Sequence, residues 1–363
     1  MQYSTFAAID IGSYDVILEI FEISKKQGIR SVDKICHRME LGKDTYTLGK
    51  IRPEMEEELC RVLADFVRIM EGYRVDDYRA TASSAISEAS NSLYVLGKIH
   101  QLTGLSVTVL SNSEQRFLSY KALAAMEDNF NKIIEKGTAI LDLDGGSFQI
   151  SLFDKDALVT TQNIRMGSLR IRERLAGIQS ETEHYEEMVE ELIWNEVSSF
   201  KKMYLKDRKI ENIMLIGDVF TDSVYQNIEE KTTKIISREN FNTWYEKIIR
   251  QSPMELAVKL GIPLENASLM YPSAVIYKCL IDMMGAEHIW IPGVHMTRGI
   301  AYEYAEQMKL LKGGHNFEND ILMAAKNIGK RYAVNRPHVQ NLEMTALAMF
   351  DATKKMHGMK ERE

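Results

Sequence analysis

The stretch AILDLDGGSFQISLFD, residues 139–154, is apolar at both ends and holds two aspartates, two glycines and a serine at its centre. Glycines reach the positive φ values that tight strand connections need, so its first reading is a β-hairpin. The same turn points several backbone N–H groups into one concavity, and such nests hold phosphate oxygens. One such stretch decides nothing. The N-terminus, however, reads FAAIDIGSYDVILEIFE over residues 6–22, and laying Asp10 over Asp142 superposes two apolar strands, two acidic-glycine turns and two returning strands. Self-similarity on this scale predicts a duplicated architecture with two facing halves. Its two turns become opposed jaws of one phosphate site.

The 363 residues suit two domains with a smaller third piece. At 45% hydrophobic and 27% charged, the composition is that of an ordinary soluble protein. No run of 18 apolar residues and no signal-peptide pattern is present, so a cytoplasmic location and no membrane partner are expected. Three scattered cysteines without CxxC spacing suggest neither a disulfide framework nor zinc, and the histidines form no HExxH. A net charge of −7 argues against a general nucleic-acid binder. Arg165, Arg170, Arg172 and Arg174 in NIRMGSLRIRERL could form an anion-binding rim or simply a solvated helix start.

Between the two hairpins, apolar residues recur at helical spacing over residues 52–73, 87–103 and 112–126, alternating with short strands. The second half repeats this grammar, with helices expected over 182–205, 238–261 and 297–311 around the strands ENIMLIG and HIWIPGV. KGGHN, residues 312–316, reads as a linker to two further amphipathic helices. The expected domains are 1–125, 126–311 and a C-terminal helical segment, 316–363.

Asp10 and Asp142, at the ends of matched strands, are the natural anchors for magnesium, a hard cation that prefers carboxylate and water oxygens. Strand-end aspartates also cap turns, which is the bland alternative. Glu114 follows a strand and opens a helix at a domain edge, where it could activate water. Ser111-x-x-Glu114 equally fits a capping box, and spacing alone favours the cap.

AAIDIGSYDV, ASSAISEASN, VLSNSEQRFLSYKA, ILDLDGGSFQISLFD, RMGSLRI and MTRGIAYEY occur in the order seen in the exopolyphosphatase and guanosine pentaphosphate phosphatase family, which the chain resembles over roughly residues 5–311. The resemblance implies an α/β fold of duplicated actin-like ATPase (ribonuclease H-like) domains facing across a cleft. It implies Mg2+-dependent release of terminal phosphate from polyphosphate or guanosine pentaphosphate, and a homodimer. It makes Glu114 the catalytic base. Gly12 and Ser13 match the first phosphate motif, Gly145, Gly146 and Ser147 the second, and Arg298 an Arg-x-Gly segment. The last fifty residues resemble the opening of the family's helical C-terminal domain.

The departures all weaken anion chemistry. Tyr14-Asp15 replaces Asn-Ser, Ser87 stands where an arginine is expected, Asp144 replaces a glycine, Gln149 a glutamate, and Gly217-Asp218-Val219 a Gly-Gly-Thr turn. An aspartate in a nest repels the anion, and a lost arginine removes a bidentate clamp. Two such losses could each cost about 10²-fold in rate. The sequence therefore supports a phosphohydrolase, with a degenerate homologue that binds polyphosphate or a nucleotide as the alternative. A sugar or acetate kinase is the weakest reading, because LIGDVFTD lacks the turn that would receive adenosine.

Overall fold

The structure, a computed structural model, describes residues 3–126, 130–155, 157–176, 185–227, 235–311, 315 and 317–359. They fall into two compact units, Met1–Phe317 and Glu318–Glu363. Most of the expected linker, residues 312–316, lies outside the described residues.

The first unit contains two sheets. Strands β1 (Ser4–Ile11), β2 (Asp15–Ser24), β3 (Gly28–Arg38), β4 (Asp77–Ala82) and β5 (Val107–Val109) form one, in the order β3-β2-β1-β4-β5. Strands β6 (Thr138–Leu143), β7 (Phe148–Asp154), β8 (Ala157–Ile164), β9 (Asn212–Ile216), β10 (Ile235–Ser237) and β11 (His288–Trp290) form the other, in the order β10-β11-β9-β6-β7-β8. In each, an antiparallel three-strand meander is extended by two strands running parallel to its first member. Read from its meander edge, the second sheet repeats the order of the first, with β10 added at the far edge. Each first strand is apolar almost throughout because helices cover both faces of its sheet.

The turn geometry repeats as well. Gly12 N–H donates to the Asp15 carbonyl at 2.9 Å, and Asp144 N–H to the Ser147 carbonyl at 2.9 Å. Asp10 pairs with Ile17 in the first hairpin and Asp142 with Gln149 in the second, at equivalent register positions.

Helix Pro53–Gly72 starts with proline in its first turn and buries Leu59, Leu63, Phe66 and Met70 in the first lobe. The second lobe is built around helix Leu264–Met284, buried over most of its length and carrying Pro272 inside it. The helix expected over 87–103 begins later: a short helix, Ser84–Ser87, ends where it should start, and a separate helix runs over Ser92–Thr103. Helix Met296–Gln307, although late in the chain, packs on the first sheet against Phe6, Phe21 and Leu118. Gly299 allows that approach, since a Cβ there would collide with the Leu118 carbonyl of helix Asn112–Met126. The second unit carries helices Phe317–Arg331 and Arg336–Ala352, the latter with no buried residue.

Candidate functional site

The ends of β1 and β6 and their two turns face each other across a cleft of about 120 Å³, open to solvent. Asp10 and Gly12 line it from the first lobe; Asp142, Gly145 and Ser147 line it from the second. The two jaws touch. Ser13 is fully buried, and its hydroxyl donates to Asp144 Oδ1 at 3.0 Å. A Cβ on Gly145 would lie 2.6 Å from Ser13 Oγ, so only glycine allows this approach. Gly146 is covered by the Tyr46 hydroxyl instead of facing the cleft.

The lining is strongly acidic. Asp10, Asp15, Asp142, Asp144, Asp218 and Asp222 all face it, against Arg38 and His295. Burial pushes the Asp10 carboxyl well above its ordinary range, with the charges of Asp15, Asp144 and Asp142 adding to the effect. Burial likewise raises Asp142 to about 6, although the Ser119 hydroxyl, donating to its Oδ2 at 2.6 Å, pulls the other way. Asp218 rises to about 7 for the same first reason.

Sequence separation hid one pairing in this cleft. His295, immediately before helix Met296–Gln307, lies 3.4 Å from Asp222 Oδ1. Arg38 is engaged by Asp15 at 3.6 Å.

Glu114 is not in the cleft. It is exposed, its Oε2 accepts the Ser111 N–H at 2.7 Å, and its own N–H donates to Ser111 Oγ at 3.3 Å. This is the capping box that spacing alone favoured, and its hydrogen bonds hold the carboxyl below its usual range. Helix periodicity explains the placement. Gln115, Ser119 and Ala122 recur at i, i+4 and i+7 and form the face lining the cleft. Glu114 is rotated about 100° away and falls with Leu118 beside Arg79 and Glu303, on the other side.

Arg298 is displaced too. One of its terminal nitrogens reaches the Ile29 carbonyl at 3.5 Å, and its helix delivers His295 and Met296 to the cleft in its stead. The arginine-rich segment is largely consumed by ion pairs. Arg172 makes a two-point contact with Glu40 at 2.8 Å and meets Glu173 at 2.6 Å. Arg170 and Arg165 share Glu88 at 3.0 and 2.9 Å. With Tyr14, whose hydroxyl donates to Asn266 at 2.6 Å, Arg170 and Arg172 clasp one lobe to the other.

Whether magnesium suits the cleft can be judged from its oxygen atoms. Asp10 Oδ1, Gln149 Oε1 and Asp218 Oδ2 are buried without a hydrogen-bond partner. Together with Asp142 they are hard donors, short of positive charge. That chemistry fits a hydrated divalent cation held by one or two carboxylates. Among the described residues no three His, Cys, Asp or Glu side chains converge as a closed ligand set. No described helix is long and apolar enough to cross a membrane.

A duplicated α/β fold whose matched turns meet across an acidic cleft defines a two-lobed α/β protein with one site between its repeats. Residues 19–308 match the Ppx/GppA phosphatase family, and the chain belongs to it. It is 21% identical over 310 residues to a bifunctional 3-dehydroquinate synthase/phosphatase of Fusobacterium nucleatum, covering 78% of this chain and 44% of that protein. It is 25% identical over 144 residues to exopolyphosphatase 1 of Mycobacterium leprae, covering 39% of this chain and 41% of the relative. The chain thus spans less than half the length of these two relatives. Among solved structures it resembles an exopolyphosphatase from Cytophaga hutchinsonii, with TM-score 0.75 and 17% identity over 84% of this chain and 98% of that one. The Aquifex aeolicus family member gives TM-score 0.68 at 17% identity, covering 85% and 99%.

Proposed function

We propose that the cleft takes a phosphate chain in the manner of an exopolyphosphatase and turns it over slowly or not at all, leaving a binding or regulatory role. The observation that carries this reading is the helix face formed by Gln115, Ser119 and Ala122. Where a water-activating carboxylate would project into the cleft there is an amide, which cannot accept a proton. Family membership and the exopolyphosphatase relatives support the phosphate-chain ligand.

Six aspartates would repel such a ligand, so binding requires counter-cations. Asp10 and Asp142 would hold magnesium, which would neutralise the phosphate oxygens. Around it, the Gly12 turn lines the cleft on one side and Ser147 offers a hydroxyl on the other.

Membership of a phosphatase family favours retained hydrolysis as the second reading. The two readings separate on one pair of measurements. Purified protein is incubated with polyphosphate or guanosine pentaphosphate, with and without magnesium, and phosphate release is followed beside calorimetric binding. Magnesium-dependent binding with little or no release is expected. Rapid release would overturn the slow-turnover reading, and absence of binding under all conditions would remove the cleft's assignment.

A further inference from the structure

We infer that Asp144 is a built-in occupant of the second phosphate nest: its carboxylate sits on the donors that an anionic ligand's oxygens would use, so a bound phosphate must displace it. The inference rests on the reading of the cleft as a phosphate site and adds what controls entry to it.

Two contacts place the carboxylate there. Asp144 opens the turn that Ser147 closes, and its side chain curls back over that turn so that Oδ1 accepts the Gly145 N–H at 2.6 Å. From the opposite jaw, Ser13 Oγ donates to Oδ1 at 3.0 Å. Backbone amides of a glycine turn supplemented by one hydroxyl make an anion nest, and here the anion is supplied by the chain.

The first turn supplies an internal comparison. Gly12 occupies the position equivalent to Asp144, donates the equivalent backbone hydrogen bond and carries no side chain. The first turn thus has no side chain of its own at this position, and the nearest carboxylate is that of Asp15, whose Oδ1 would lie 3.2 Å from a Cβ on Gly12. Displacing Asp144 also breaks the Ser13 contact between the lobes, so occupancy of the nest is coupled to how the jaws meet. Losing two charge-assisted hydrogen bonds, and leaving a carboxylate beside Asp10 and Asp142 without them, weakens a competing ligand by ~10- to 100-fold.

The test is calorimetric titration of the full chain with inorganic tripolyphosphate, at fixed magnesium and ionic strength. Asp144→Gly empties the nest and should tighten binding at least tenfold. Asp144→Asn removes the charge, yet its amide oxygen can still accept from Gly145 and Ser13, so a clearly smaller gain is expected. If the glycine variant fails to melt cooperatively, Asp144→Ala empties the same nest. Wild type and emptied variants binding within twofold of one another would overturn the inference while leaving the cleft a phosphate site. An asparagine variant as tight as the emptied one would overturn it also, because charge alone would then suffice. No binding by any of them would remove the cleft assignment and this inference with it.

Discussion

Exchanging the roles of Glu114 and Gln115 tests the helix geometry most directly. Gln115→Glu places a carboxylate on the face shared with Ser119 and Ala122, within the cleft lining. A positioned general base contributes roughly 10²- to 10⁴-fold. Asp144 and Gln149 remain altered in this variant, so the lower bound applies, and phosphate release from tripolyphosphate should rise by about 10²-fold. The acidic side chains lining the same cleft will raise the pKa of the new carboxyl, which favours its action as a base near neutrality. Glu114→Gln should leave release unchanged. Its amide oxygen can still accept the Ser111 N–H, so the variant loses only the favourable charge at a helix N-terminus, about 0.5 kcal/mol. Both variants are assayed colorimetrically for phosphate with magnesium present, and their folding is checked by urea titration. Release abolished by Glu114→Gln, with Gln115→Glu indistinguishable from wild type, would show that the catalytic carboxylate is Glu114 after all. The present placement of the helix would then be the wrong functional state.

Two further outcomes follow from the inter-lobe contacts and the buried carboxyls. Arg172→Ala should cost about 2 kcal/mol in urea unfolding, because it strands Glu40 and Glu173, whereas Arg165→Ala, 66% exposed, should change stability by less than about 0.5 kcal/mol. Equal effects would show that the clasp contributes nothing beyond surface charge. Burial raises Asp218 from 3.8 to about 7, so the folded state keeps a proton that the unfolded chain releases between those values. That contribution is complete below about pH 4 and lost as pH rises through 7. The shift corresponds to at most ~4 kcal/mol, and to about 2 kcal/mol once water in the cleft is allowed for. Asp218→Asn should therefore flatten the fall in stability measured from pH 5 to pH 8; an unchanged pH slope would count against a protonated Asp218.

The duplication was legible because it is written locally: an apolar strand, an acidic-glycine turn and a returning strand occur twice in the right register, and β-pairing across a short turn needs no distant information. The long helix Leu264–Met284 is hard to read for the opposite reason: buried over most of its length, it shows only a thin polar edge to set a 3.6-residue rhythm, and Pro272 suggests a break that the packed second lobe tolerates. The arginine-rich segment could not be resolved between anion rim and surface, since its partners Glu40 and Glu88 lie 132 and 82 residues from Arg172 and Arg170. For Glu114, the capping box was visible in four consecutive residues. What sequence could not supply was the rotation of the helix about its own axis, fixed by docking against helix Met296–Gln307 through Gly299. A shift of one position along a helix turns a cleft residue into a surface residue, so a motif matched by order alone leaves that choice open.

Asp144 and Gln149 make most sense taken together. Gln149 pairs with Asp142 in the hairpin and lines the same cleft as Asp10, Asp144 and Asp218. A glutamate at that position would add a seventh carboxylate to a group whose members are already pushed toward protonation by burial and by one another. With glutamine there, Asp144 can occupy the glycine turn and be stabilised by Gly145 and Ser13 without raising the charge of the cleft. At these two positions, relative to the pattern the family resemblance implies, one negative charge stands on the turn instead of on the returning strand. In its new place it engages the phosphate donors instead of facing the ligand's counter-cations. The effects of reversing the two changes should therefore not add: Gln149→Glu beside an intact Asp144 crowds the cleft, whereas the same substitution made after the nest is emptied returns a ligand for positive charge.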